Sequence, residues 1–137
     1  MENELRRITI VRIRRRRNPE LNESLQWFSQ SLGLFNLRDR EKSCFRIFIE
    51  LLKAAKTNTS LTSDEIAERA NLTRATVVHH LSNLIERGMV TAHKRRYYLR
   101  VPSLGELVEE LRKDSERMFT ELEEQARQID HELGLMD

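Results

Sequence analysis

The chain has one cysteine, two prolines and four glycines in 137 residues, and aromatic side chains make up only 6% of it. A lone Cys44 closes no internal disulfide and fits a reducing compartment, so a cytoplasmic protein is expected. So little Pro and Gly excludes collagen-like, linker-rich and turn-dense all-β designs. No run approaches the roughly 18 apolar residues of a membrane helix, and the first residues lack the apolar stretch of a signal peptide. Arg14 to Arg17 lead straight into Asn18-Pro19-Glu20, so these arginines have no hydrophobic region that would make them an export signal. No membrane partner is expected. Charge is what the chain has in excess, at 34% against about 25% in an ordinary domain, beside 39% hydrophobic residues. A mainly helical protein with one core satisfies both figures.

The net charge of +2 conceals a division along the chain. Residues 1–17 hold seven arginines against two glutamates, whereas residues 103–137 hold four basic and eleven acidic side chains. Between them, Arg74, Arg87, Lys94, Arg95, Arg96 and Arg100 face only Glu86 within residues 73–100. Two basic regions would both meet a polyanion if the fold brings them to one face, with the acidic third held away.

Residues 5–14 are rich in β-branched side chains and place Thr9, Val11 and Ile13 on one side at period two, which predicts a strand or a basic arm. Asn18-Pro19-Glu20 has helix-start chemistry, with Asn18 as N-cap, and Leu21, Leu25, Phe28 and Leu32 recur at helical spacing until Gly33. A second helix is expected from about Asp39 to Lys56, with Phe45, Phe48, Ile49, Leu52 and Ala55 on one face, widened by Cys44, Ile47 and Leu51 so that it is buried on most sides, and with Cys44 as a core thiol. Thr62-Ser-Asp-Glu65 matches a capping box opening a short helix that ends at Asn71-Leu72. Thr73 caps the next helix, whose stripe Val77, Val78, Leu81, Leu84 and Ile85 runs to Gly88.

A hairpin follows, from Met89-Val90-Thr91 through a turn at Ala92-His93-Lys94 to a strand over residues 95–101. Ser103-Leu-Gly-Glu106 reads as a second capping box, and no proline interrupts the chain after it, so a helix of roughly 45 Å is expected. Along it Leu104, Val108, Leu111, Ser115, Met118, Leu122, Gln125 and Ile129 fall on steps of four and three, the seam of a coiled coil. A homodimer through Leu104, Val108, Leu111, Met118, Leu122 and Ile129 is the favoured expectation; the alternative is a long helix packed on its own domain.

Residues 61–90, with Thr76-Val-Val-His-His-Leu81, then Leu84, then the exit Gly88-Met89-Val90, resemble the winged helix-turn-helix transcription regulators of ArsR type, with MarR and PadR types as near relatives. The resemblance covers about 30 residues, or about 40 with the hairpin as wing. It implies a mainly α fold with a small β-wing, in which the second helix enters the DNA major groove. The expected organisation is a basic N-terminal strand or arm over 1–17, a winged domain over 18–102 and a coiled-coil-like dimerisation helix over 103–137.

The helical wheel adds its own argument. Val77, Leu81, Leu84 and Ile85 share the inner side, which turns Ala75, Thr76, His79, Asn83 and Arg87 outward, with Arg74 at the start and His80 on the flank. Small and hydrogen-bonding side chains there suit base edges and phosphates, and Thr73 with the helix N-terminus adds phosphate donors. Lys94, Arg95 and Arg96 would reach the backbone or minor groove from the wing, and Arg14, Arg15, Arg16 and Arg17 would add contacts from the arm.

Many ArsR-type regulators sense metals through cysteine clusters, which Cys44 alone cannot supply, and His79 and His80 diverge by about 100° on a helix, so no metal and no cofactor is expected. Tyr97 and Tyr98 read as wing-packing residues. Phosphate loops and nucleophile motifs are absent, which leaves an enzyme as a distant reading. The expectation is a prokaryotic-type, homodimeric regulator that binds double-stranded DNA, with no effector assigned. Its rival is a winged-helix scaffold or accessory subunit that binds another protein or RNA through the C-terminal helix.

Overall fold

The computed structural model describes residues 5–35 and 41–136. Its elements run α1 (Leu21–Ser31), α2 (Ser43–Lys56), α3 (Ser63–Ala70), α4 (Arg74–Glu86), β1 (Val90–His93), β2 (Arg96–Leu99) and α5 (Leu104–Leu133). Asp39, the expected start of α2, lies outside the described residues, but Lys42, left-handed at φ 50°, is the N-cap, so the helix begins later than expected, at Ser43.

α2 is the centre of the core. Ile47, Phe48 and Leu51 on one stripe are wholly buried, against Ile66 of α3, Val77, Leu81 and Leu84 of α4, Met89, and Leu107 of α5. Cys44 is buried among them at 7% exposure. β1 and β2 form an antiparallel hairpin in the register Val90 to Leu99 through His93 to Arg96. Leu61 adds one bridge on the far edge, its N–H donating to the Tyr97 carbonyl at 3.0 Å and its carbonyl accepting from the Tyr97 N–H at 2.7 Å. Helices around a two-stranded wing make this a winged helix, as the sequence pattern implied.

Helix ends follow the sequence where a side chain can cap them. Thr62 and Glu65 form the full reciprocal box, and Thr73 Oγ1 accepts from the Thr76 N–H at 3.2 Å. At α5 only half of the expected box is made: Ser103 Oγ accepts from the Glu106 N–H and donates to the Glu106 carboxylate, instead of that carboxylate turning back to the backbone. The start of α1 differs from expectation. Asn18 takes a left-handed conformation at φ 54°, and Glu20 is the N-cap, in a reciprocal box with Glu23. Leu21, placed on the inner stripe by its spacing, is therefore in the first turn and 77% exposed.

Residues 5–14 form no strand. Their backbone donors instead meet carbonyls at two helix C-termini, where the last turn has no intrahelical partner. Arg7 N–H donates to the Glu86 carbonyl at 3.0 Å, Val11 N–H to Ser31 at 2.7 Å, and Trp27 Nε1 donates to the Ile13 carbonyl at 2.9 Å. The segment is thus an extended arm from the end of α4 along α1. With both partners helical, the β-branched residues find no ladder to join.

α5 divides in two. Over its first half Leu107, Leu111 and Asp114 are buried in the domain, while from Phe119 to Leu133 nearly every residue is exposed. Asp114, 4% exposed, is the junction: Arg100 holds it through two hydrogen bonds of 2.6 and 3.1 Å, Arg117 through another, and Arg6 Nε lies 3.6 Å away. Burial pushes this carboxyl up, but the hydrogen bonds and charge of Arg100, reinforced by Arg6 and Arg117, outweigh it and hold it below its ordinary 3.8. Arg100 also donates to the Gly88 carbonyl at 3.3 Å. Gly88 takes φ +77°, in the left-handed region that favours glycine, and a Cβ there would stand 2.2 Å from Arg6 Nη1 and push that guanidinium aside.

Asp114→Asn should lower stability by about 2–4 kcal/mol, because it leaves three arginines facing a neutral group in a mostly buried site. A group held below its unfolded value stabilises the fold above that value and ceases to do so as pH falls through the folded one. Urea unfolding should therefore show a loss of stability between pH 5 and pH 3 in the native chain that is smaller in Asp114→Asn. Equal losses in the two proteins would remove Asp114 from that role.

Candidate nucleic-acid interface

α3, the turn at Asn71–Thr73 and α4 form the helix-turn-helix. Asn71 closes α3 in the left-handed conformation at φ 55°, the Leu72 N–H donates to the Ala67 carbonyl at 3.0 Å, and Thr73 then caps α4. Arg46 of α2 donates to the Ala70 carbonyl, placing a cation at the negative end of α3 and fixing the turn from below.

On α4, Val77, Leu81 and Leu84 point inward as expected. Val78 and Ile85, counted with them by spacing, are instead 43% and 38% exposed. The exposed face comprises Arg74, Ala75, Val78, His79, Ser82 and Ile85. Thr76, His80, Asn83 and Arg87 are half-buried, the last three lining a cleft of about 450 Å³ with Val11, Ile13 and Gly33. The arm and the end of α1 thus cover one flank of the helix and leave the other open. Arg87 is part of that packing, with Nη1 donating to the Leu32 carbonyl at the end of α1, 3.1 Å away.

Val78 and Ser82 were missed by the wheel, which has only the core to orient it and no knowledge of a segment packed on one side. Both suit a groove: a serine hydroxyl donates or accepts at base edges, and a valine methyl can meet a thymine methyl. Arg74 lies at the open end of α4, its Nε 3.6 Å from the exposed Asp64 carboxylate.

The wing separates its three cations. Arg96 reaches back, with Nε on Ser60 Oγ and Nη2 on the Ser60 carbonyl, both at 2.8 Å, and Nη2 3.4 Å from Glu65. The carboxyl of Glu65 lies below its ordinary range, chiefly through the Thr62 backbone N–H and hydroxyl, with Arg96 adding to it. Lys94 and Arg95 form the tip and are exposed. Their φ values of 50° and 63° are both left-handed, as a two-residue type I′ hairpin turn requires and as Asn-Gly would adopt with less strain. Tyr97 and Tyr98 are half-buried along β2, Tyr97 against the core.

Of the arm's arginines, Arg16 pairs with Glu23, and Arg15 lies over the Trp27 ring at 5.9 Å. Arg14 and Arg17 are exposed. The arm follows α1 from its C-terminal end toward its start, so these four lie beyond Ile13, away from the contact of Arg7 with the end of α4. Of the expected seam, Leu104 packs against the core and Leu111 lies in it, Val108 and Met118 are half-buried, and Leu122 and Ile129 are exposed at 63% and 50%. Among the described residues no group of His, Cys, Asp and Glu is placed to hold a metal ion, and no helix is long and apolar enough to cross a membrane.

A capped short helix, a tight turn, a second helix with one open face and a wing carrying cations at its tip define a winged-helix DNA-binding domain. Residues 32–103, just over half of the chain, match the family described as "Sugar-specific transcriptional regulator TrmB". The chain belongs to this family of transcriptional regulators. The regulator class agrees with the resemblance seen in the sequence; the family matched is TrmB. No curated protein and no solved structure matches the chain.

Replacing the strained tip by Lys94→Asn with Arg95→Gly should raise stability by about 1 kcal/mol, since both positions need positive φ. Arg96→Ala should lower it by about 0.5–1.5 kcal/mol through loss of the Ser60 and Glu65 contacts. Thermal unfolding reads both; opposite signs are expected, and equal effects would mean that tip and anchor do not differ as described.

Proposed function

We propose that the chain is a cytoplasmic, sequence-specific regulator that binds double-stranded DNA as a homodimer, with α4 in the major groove and the wing tip on the neighbouring backbone or minor groove. The observation that carries this reading is the pairing of an open face on α4 with two exposed cations at the wing tip. Arg74, Ala75, Val78, His79 and Ser82 would meet base edges and phosphates, while Thr73 and the first turn of α4 would hold a phosphate at the positive end of the helix dipole.

Thr76, His80 and Asn83 stand at the edge of this surface. Arg87 and Arg96 support it: each binds a backbone carbonyl and so fixes the elements that carry the contacts. Lys94 and Arg95 supply phosphate contacts, and Arg14 and Arg17, with Arg15 and Arg16, extend the basic surface along the arm. The acidic α5 lies outside this surface, where it does not repel the duplex.

A winged-helix accessory subunit is the second reading, and the exposed apolar residues of distal α5 favour it. Fluorescence anisotropy against random duplex and single-stranded RNA across a salt series separates the two. Duplex preference with a steep salt dependence is expected, and Lys94→Ala with Arg95→Ala should lower the slope of log K against log salt by about one to two units, because each phosphate contact releases counterions. An unchanged slope would take the wing tip off the DNA. Binding with no preference for duplex would favour the accessory role.

A further inference from the structure

We propose that the distal half of α5 from a second copy of this chain lies antiparallel in the groove between the N-terminal arm and the proximal half of α5. This rests on the homodimer reading above and adds to it a register, a direction and a role for the arm.

The outward stripe of α5 is not the one expected from the sequence. Leu111 faces the core, so the outward stripe runs from half-buried Ser115 through the exposed Phe119, Leu122, Ala126, Ile129 and Leu133 on steps of four and three, and the helix ends at Gly134 with Met136 exposed beyond it. This seam shares Val108, Ser115, Leu122 and Ile129 with the expected one but replaces Met118 and Gln125 by Phe119 and Ala126, which removes the polar interruption at Gln125. Phe119 is 63% exposed, Leu133 68% and Met136 66%. Apolar exposure in strict heptad register over more than two turns is the pattern of a helix that packs on another helix.

The groove supplies the other side. Ile8, Ile10 and Leu32 join Val108, Ser115 and Phe119 around a mainly apolar space of about 420 Å³. Ile10 is 75% exposed there. Nothing else in the described chain covers it.

Size and charge select the occupant. When the seam is laid antiparallel on itself, one register brings every layer together with compatible volumes. Phe119 meets the second copy's Leu122, Leu133 meets Val108, Ala126 meets Ser115, and Ile129 lies across the aliphatic stem of Arg112. In that register the second copy's Leu133 enters the groove beside Ile8 and Ile10. Residues 119–136, which then pass the arm at Ile8 and Ile10, carry five acidic side chains and one arginine, and that stretch of the arm presents the exposed Arg7 and Arg12 and no acid. A parallel pairing would instead stack the acidic halves on each other and leave both grooves empty. The self-complementary surface is that of a two-fold dimer.

Cross-linking in a Cys44→Ala background tests this directly. Val108→Cys chains mixed with Leu133→Cys chains should form a disulfide-linked dimer under mild oxidation, and neither variant alone should, because in the antiparallel register the two copies of each position lie far apart. Self-linking of each variant alone would show a parallel pair and overturn the proposal while the homodimer reading stands. A dimeric mass by sedimentation with no cross-link in any combination would place the interface elsewhere, with the same consequence. A monomeric mass in the unsubstituted chain would overturn both, and anisotropy with duplex then decides DNA binding by itself. As an independent check, Ile10→Glu alters a residue already open to solvent, so its melting as a monomer should be unchanged while the dimer dissociation constant rises roughly tenfold or more. No change in that constant would remove the arm from the interface.

Discussion

The buried carboxylate of Asp114 is the point through which the molecule is joined. Three arginines from three parts of the chain meet it: Arg6 from the arm, Arg100 from just beyond β2, and Arg117 from the next turn of α5. Arg100 and Arg6 each carry a second bond to the end of α4, to the carbonyls of Gly88 and Ile85. One carboxylate therefore sets where α5 leaves the domain, where the arm begins and how the C-terminus of α4 is held. A buried charge demands such geometry, since an imperfect partner would leave the desolvation cost unmet. Glycine at position 88 is what lets both guanidinium groups approach.

The same chemistry recurs around the fold. Arg46 binds the end of α3, Arg87 the end of α1, and Arg6 and Arg100 the end of α4. Each puts a cation where a helix has unsatisfied carbonyls and the negative end of its dipole. Part of the chain's basic character is thus spent on building the frame, and the cations left exposed on the proposed DNA side, Arg74, Lys94 and Arg95, are fewer than the charge count suggests. The strained conformation at Lys94 and Arg95 has the opposite logic: Asn-Gly would fit that turn better, yet two cations occupy the position where the wing projects furthest.

Much of the fold could be read from the sequence because its signals are local. The Thr62 and Thr73 caps, the glycine stops at Gly33 and Gly88, and the buried stripe of α2 all depend on residues within a turn or two of each other. What escaped reading depends on distant partners. The arm resembles a strand because its β-branched residues pack, but its hydrogen-bond partners are helix ends more than 15 residues away. Ile85 and Val78 look like core by spacing, and only the placement of the arm on the other flank of α4 shows that their side is open. Arg87 and Arg96 look like DNA contacts by charge, while the carbonyls they bind lie on α1 and before α3. Along α5, spacing found a seam but not which of two overlapping seams is open, since that depends on the domain claiming Leu107 and Leu111.

The central claim is that the DNA-facing surface is the open face of α4 with the wing tip, supported from behind by the arm and the arginine caps. Amide hydrogen exchange of the chain with and without a duplex of about 30 base pairs tests it most directly. The account predicts new protection over residues 73–82 and 90–96, with little change over residues 119–133. Protection centred on distal α5, with none on α4, would contradict it.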